Sequence, residues 1–280
     1  MGPLVSAEAV AENLRDWRIV DCRHDLRNLD YGAQAYAKGH IPGAVFMHMD
    51  RDLSGELTGS NGRHPLPSRE AFAAVLSASG IGPDTQVVAY DNESGIFASR
   101  LWWMLRWIGH PADKAAVLNG GLPAWKRAKL PLETDVPEYP FVPYPAREGE
   151  DPVDLAEMLH VYNSPEVLML DARAEDRFAG ENETLDPVGG HIPGAVNRFY
   201  FDNLDDAGVY FKPADELREE YTALLAGREP RQVIQQCGSG VTACHNLLAM
   251  EAAGLTGSRL YVGSWSEWCS DPSRPVATGE

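Results

Sequence analysis

Two α/β domains in tandem, each a mainly parallel sheet with helices on both faces, are what this 280-residue chain predicts. The first reason is an internal repeat: Lys38–Val45 reads KGHIPGAV and Gly189–Val196 reads GGHIPGAV, 151 residues apart. Around it the halves keep step. Asp21-Cys22-Arg23 matches Asp171-Ala172-Arg173, Gln86-Val87-Val88 matches Gln232-Val233-Ile234, and Gly120…Trp125 matches Gly263…Trp268. A period this long means two copies of a whole domain. The second reason is that short β runs alternate with helical patterns, the order that gives βαβ units and a covered parallel sheet. The third is composition, 44% apolar and 23% charged, which suits an ordinary globular protein with sizeable cores.

Taken in order, the first half offers a helix at Ala7–Leu14 and β runs at Ile19–Asp21 and Ala44–Met47. A helix at Ser68–Ser79, a strand at Gln86–Tyr90, a helix at Ser94–Ile108 and a strand at Ala116–Leu118 follow. Pro131 to Pro152 carries six prolines with little periodicity and reads as a semi-extended linker. The expected boundaries are therefore a first domain at 1–130, a linker at 131–152 and a second domain at 153–280. In the second half, Val167–Leu170 and Gln232–Gln236 read as strands. Pro213…Glu216 opens one helix, and the apolar spacing from Ser239 onward marks another.

The formal net charge of −17 argues against nucleic acid or an anionic membrane as partner. An anionic substrate would then need a local positive pocket. No run approaches 18 apolar residues, and the first residues lack a basic stretch followed by an apolar one, so a cytoplasmic location is expected. Four cysteines (Cys22, Cys237, Cys244, Cys269) make neither a disulfide scaffold nor a zinc motif. No metal and no cofactor is expected.

The chemistry concentrates at Cys237. It stands between a strand and a helix and is followed by Gly238, Ser239, Gly240, Val241 and Thr242. Such a loop lets successive N–H groups curl towards one point at a helix N-terminus, forming an anion-binding nest. A sulfur there would be held as thiolate, since helix N-termini can lower a cysteine pKa from about 8.5 to roughly 3.5–7.5. The competing reading is a small buried hydrophobe at a tight turn, but the CGSG context favours a nucleophile. The first copy reads Asp91-Asn92-Glu93-Ser94-Gly95 at this step, without a thiol, and so reads as a supporting domain. The alternative there is separate acid–base or metal chemistry by Asp91 and Glu93.

The repeat also separates scaffold from chemistry. His40 and His191 recur in both copies, as do the Asp-x-Arg pairs, which points to structural roles. Residues present once are the better candidates. Arg177, in the loop ARAEDRFAG, could clamp a carboxylate or sulfonate bidentately; Arg198 is a second candidate. Ser239 is a turn former or a hydroxyl that passes a proton. His64 oriented by Asp50, both in the first half, could meet Ser239 and Cys237 across a cleft. Cys244, seven residues after Cys237, reads as core, with a resolving thiol as the alternative, and the Trp102, Trp103 and Trp107 face reads as core or inter-domain packing.

The tandem architecture and the loop Cys237-Gly238-Ser239-Gly240-Val241-Thr242-Ala243-Cys244 resemble the two-domain rhodanese family, in particular its 3-mercaptopyruvate sulfurtransferase branch. The resemblance covers essentially the whole chain. It implies two rhodanese-like domains, the first catalytically silent, and a sulfane sulfur carried on Cys237 as a persulfide. The donor would be a small anion, 3-mercaptopyruvate or thiosulfate, and the acceptor cyanide or a thiol such as thioredoxin. It also implies that Arg177 holds the donor's carboxylate, with Gly238, Gly240, Val241 and Thr242 lining the site, and that Ser239, His64 and Asp50 move protons. One departure stands out. The mercaptopyruvate branch has a second arginine in a Glu-Pro-Arg segment, where this chain reads Glu183-Thr184-Leu185-Asp186-Pro187. Thiosulfate:cyanide transfer as the main activity is therefore an alternative, and Arg198 is a candidate replacement. A non-catalytic sulfur-relay or binding module is a further alternative. A Cys-x5-Arg phosphatase is excluded, because Ala243 stands where the arginine would be.

Overall fold

The computed structural model describes residues 1–279. They form two compact units. One comprises Met1–Gly55, Leu66–Glu150 and Asp206–Phe211; the other comprises Glu56–Pro65, Asp151–Asp205 and the chain from Lys212 onward.

In the first unit the elements are β1 (Leu4–Val5), α1 (Ala7–Glu12), β2 (Arg18–Asp21), α2 (Tyr31–Lys38) and β3 (Val45–Phe46). They continue as α3 (Arg69–Ala78), β4 (Val87–Tyr90), α4 (Ala98–Trp107), β5 (Ala115–Leu118) and α5 (Gly121–Arg127). The sheet is parallel throughout, in the order β1-β5-β4-β2-β3. Every residue of β4 and β5 is buried, as a parallel strand covered on both faces requires. Ser6 and Ser68 accept N–H bonds from Ala9 and Ala71, capping α1 and α3. Val10, Ile19, Val88, Tyr90, Ala116 and Trp125 pack as one core; a buried aliphatic side chain of this kind contributes about 1.5–3 kcal/mol.

The second unit repeats the plan with α6 (Leu155–Val161), β6 (Leu168–Asp171), α7 (Glu175–Ala179), β7 (Ala195–Asn197) and α8 (Ala214–Leu225). After these come β8 (Val233–Gln236), α9 (Ala243–Ala252), β9 (Arg259–Leu260) and α10 (Ser264–Trp268). Its parallel sheet has the order β7-β6-β8-β9. Met158, Met169, Ile234, Tyr261, Trp265 and Trp268 form its core.

The repeated polar residues are structural in both units. Arg23 grips Asp21 with Nη2 at 2.6 Å and donates to the Gly39 carbonyl at 2.9 Å; Arg173 does the same to Asp171 at 2.7 Å and to Gly190 at 2.7 Å. Each pair ties a strand end to the segment before His-Ile-Pro-Gly. His40 stacks on Tyr36 at 3.9 Å and His191 on Phe178 at 3.7 Å, each Nδ1 bonded to a backbone carbonyl.

The elements differ from expectation at the short pieces. Strand β1 has two residues, and α2 and α5 are short helices with glycine inside (YGAQAYAK, GLPAWKR), so none carries a periodic signal. Residues 131–150, expected as a linker, fold against the first unit. The Tyr139 ring lies 3.0 Å beneath the Arg18 guanidinium and its hydroxyl donates to the Gly43 carbonyl, while Val142 N–H bonds Ser77 O at 3.1 Å. The prolines keep this stretch extended, and its aromatic side chains anchor it. Residues 56–65, which carry His64, cluster with the second unit although they precede 66–150 in sequence.

Candidate active site

The parallel sheet of the second unit places the β6 and β8 carboxyl ends side by side, and the loops that follow converge there. After β8 the chain turns at Cys237, which is 2% exposed. The carbonyls of Cys237 and Gly238 accept N–H bonds from Trp265 and Ser266, so the loop is clamped to α10. Ser264, buried and held at φ +53°, takes the Cys237 N–H on Oγ at 3.1 Å and donates to the Tyr261 carbonyl at 2.9 Å. A non-glycine residue in the left-handed region is costly and persists only where the surroundings demand it. Ser264 thus positions the backbone of the cysteine. It occupies the step of Gly121 in the repeat, which was the one signal by which it could have been found.

The turn is completed by Gly240, whose φ of +75° and position would bring a Cβ to 2.4 Å from the Val262 carbonyl. Only glycine fits. In that conformation the Gly240 N–H points back at Cys237 Sγ, 3.2 Å away. Helix α9 starts at Ala243, so Val241 and Thr242 lead into its N-terminus. Cys244, the second residue of α9, is buried, its thiol donating to the Gly240 carbonyl at 3.3 Å. Of the other thiols, burial pushes Cys269 up to about 11 and Cys22 well above its ordinary value.

Two guanidiniums lie beside Gly238. A Cβ on Gly238 would lie 2.8 Å from Nη2 of Arg63, 3.6 Å from Nη2 of Arg177 and 3.7 Å from its Nη1. The absence of a side chain at 238 is what lets both guanidiniums approach the turn. Arg177 follows β6 in α7; Arg63, beside His64, was not among the expected residues. Neither is unopposed. Arg177 forks onto Glu183, with Nη2 at 2.9 and 2.8 Å from its two oxygens, and reaches Asp186 at 3.3 Å. Arg63 pairs with the other oxygen of Asp186. The two carboxylates differ. Burial opposes ionisation of Glu183, but the Leu185 N–H and Arg177 outweigh it and hold its pKa below the usual range. At Asp186 burial wins over the pull of Arg63 and raises the carboxyl.

His64 is buried, and its Nδ1 lies 2.7 Å from Ser239 Oγ, so two of the expected residues are joined within this unit. Asp50 belongs to the first unit, where its Oδ2 lies 3.8 Å from His24 Nε2 and 3.7 Å from His48 Nδ1. Arg198 bonds Glu220 and Asn203 and lies 4.9 Å over the Tyr221 ring. Neither Glu220 nor Asn203 belongs to the Cys237 loop. Arg198 extends along α8, and an acidic residue one helical turn past Glu216 holds it there.

The corresponding turn of the first unit is filled from within. Asp91, entirely buried, accepts N–H bonds from Glu93, Gly95, Phe97 and Ala98 at 2.8–2.9 Å. The chain's own carboxylate occupies the nest, and Leu122 N–H bonds Asp91 O as Trp265 N–H bonds Cys237 O.

Comparison with known proteins agrees with this architecture. The rhodanese-like domain family matches residues 6–128 and 151–271. The chain is 45% identical over 283 residues to a probable 3-mercaptopyruvate sulfurtransferase of Pseudomonas aeruginosa, covering 99% of this chain and 98% of the relative. It is 37% identical over 265 residues to a putative thiosulfate sulfurtransferase of Mycobacterium tuberculosis, covering 93% and 90%. The solved 3-mercaptopyruvate sulfurtransferase of Leishmania major superposes with a TM-score of 0.85 at 34% identity, covering 95% of this chain and 74% of that one. Among the described residues no helix is long and apolar enough to cross a membrane.

Proposed function

Since this chain belongs to the rhodanese-like domain family and is a sulfurtransferase, we propose that Cys237 carries sulfur as a persulfide from a small anionic donor to cyanide or a thiol acceptor. The observation that carries this reading is the meeting of four groups at one turn: the Cys237 sulfur, the Gly240 N–H at 3.2 Å and the guanidiniums of Arg63 and Arg177 beside Gly238.

The thiolate of Cys237 attacks the donor sulfur. With 3-mercaptopyruvate a new S–S bond forms, the C–S bond breaks, and the electron pair stays with the carbon, which takes up a proton as pyruvate leaves. The donor's thiol loses the proton that the carbon gains, so the sum is balanced. With thiosulfate the S–S bond of the donor breaks and sulfite leaves, with no proton required. The Ser239–His64 pair, 2.7 Å apart, is the candidate relay for the first case. The Gly240 N–H, with the backbone of Val241 and Thr242 at the start of α9, stabilises charge on the sulfur. Arg177 anchors the donor anion.

The named relatives favour 3-mercaptopyruvate as donor, with thiosulfate the second reading because of the second relative and the missing Glu-Pro-Arg arginine. The first domain is read as silent, its nest closed by Asp91. A thioredoxin-like thiol as acceptor and a cytoplasmic site of action complete the proposal. Turnover of both donors by Cys237→Ser tests it: loss with each is expected, and activity equal to the parent would end the reading.

A further inference from the structure

We propose that Asp186 is the element that selects the donor's charge: it bridges Arg63 and Arg177 as an internal counter-anion, so that the anchor accepts a monoanionic donor and resists a dianionic one. This rests on the sulfur-transfer reading above and goes beyond it by assigning roles to two residues, Arg63 and Asp186, not otherwise given one.

The geometry separates the two carboxylates beside the arginines. Glu183 is built in: it accepts the Arg177 fork and the backbone N–H groups of Leu185 and Asp186 at 2.8 and 3.1 Å. Asp186 has one oxygen on Arg63 and the other 3.3 Å from Arg177, and its side chain is 2% exposed. Its partners among the described residues are those two guanidiniums, the same two that reach the Gly238 turn. An incoming anion therefore competes with Asp186 rather than with Glu183. A groove of about 380 Å³ lined by Leu57, Gly62, Arg63, Leu185, Asp186 and Ser266 lies alongside. Arg63, at 28% side-chain exposure, is positioned to move with the donor.

Counting Arg173, whose Nη1 lies 3.6 Å from Glu183, and its partner Asp171, three guanidiniums and three carboxylates leave this anchor without net charge. A donor with one negative charge can take a guanidinium from Asp186 at the cost of one repulsion. A donor with two charges meets that repulsion twice. At neutral pH 3-mercaptopyruvate carries its single carboxylate charge, and thiosulfate carries two. Asp186 thereby offsets the loss of donor discrimination that a bare pair of arginines would bring.

The test is kcat/KM for the two donors in the parent, Asp186→Asn and Arg63→Gln, with melting temperatures to establish folding. Removing the Asp186 charge relieves one more unit of repulsion for thiosulfate than for 3-mercaptopyruvate. The thiosulfate-to-mercaptopyruvate ratio should rise roughly tenfold or more in Asp186→Asn and fall in Arg63→Gln. An unchanged ratio, with both donors altered alike, overturns the proposal. A measurement on the unaltered protein guards against a variant that does not fold: pyruvate should inhibit sulfur loading more strongly than sulfate, and stronger inhibition by sulfate overturns the proposal too. If the parent loads no sulfur on Cys237 from either donor, the sulfur-transfer reading itself has failed and this assignment falls with it.

Discussion

Replacing Gly240 with alanine separates the nest from mere packing. The residue sits at φ +75°, and a Cβ would stand 2.4 Å from the Val262 carbonyl, which is backbone and cannot swing aside. The left-handed conformation alone costs a non-glycine residue about 1–2 kcal/mol, and relief of the clash adds to that. For a chain of this size about 1 kcal/mol lowers the melting temperature by roughly 2–4 °C, so a loss of several degrees is expected. Relaxation must displace the N–H that lies 3.2 Å from Cys237 Sγ. Loss of one such donor costs on the order of 10²–10³ in rate. Gly238→Ala is the control. Its Cβ would meet the end of the Arg63 side chain at 2.8 Å, a group that can move, so stability should hold while KM for the donor rises. Steady-state kinetics with both donors, alongside thermal melts, decide the matter. A Gly240→Ala protein with parental kcat and melting temperature would refute the account of the loop.

Ser239→Ala and His64→Ala should each lower kcat with 3-mercaptopyruvate, and the double variant should be little worse than either, because the two act through one hydrogen bond; additive losses in the cycle would count against a shared relay. Asp91→Ala should lower stability by about 3 kcal/mol or more by orphaning four backbone N–H groups, with kcat/KM of the folded fraction unchanged; a melting temperature equal to the parent's would contradict the filled nest. Burial, with Asp91 and Asp25 nearby, raises Glu93 to about 6 from 4.5. The folded state then binds the proton more tightly than the unfolded one, so stability falls as pH rises from about 4.5 to about 6 and stays reduced above. Discounted for solvent screening, Glu93→Gln should stabilise by about 1 kcal/mol near neutral pH; melts across pH should show that gain disappearing below about pH 4.5.

Much of this is legible in the sequence. The duplicated His-Ile-Pro-Gly and Asp-x-Arg stretches marked scaffold because both copies kept them, and the hydrogen bonds of Arg23 and Arg173 are near-duplicates. The Cys237 loop was legible because glycines between a strand and a helix have a backbone purpose rather than a packing one. Arg63 was not, because a lone arginine in a loop carries no periodicity. Asp186 stood out only as the absence of an arginine; that the same carboxylate links Arg63 to Arg177, 123 and 9 residues away, is a tertiary fact. Ser264 hid its role in a strained backbone angle, which no side-chain pattern announces. Strand β1 escaped because two residues carry no alternation, and residues 131–150 because prolines mask the packing of Tyr139 and Tyr144.

The most direct measurement is to incubate the protein with 3-mercaptopyruvate alone and locate the transferred sulfur among its four cysteines by fragmentation mass spectrometry. The account predicts one added sulfur atom on Cys237, removed by cyanide and absent from Cys237→Ser. Sulfur found on Cys22, Cys244 or Cys269 instead, or turnover without any loaded Cys237, would contradict it.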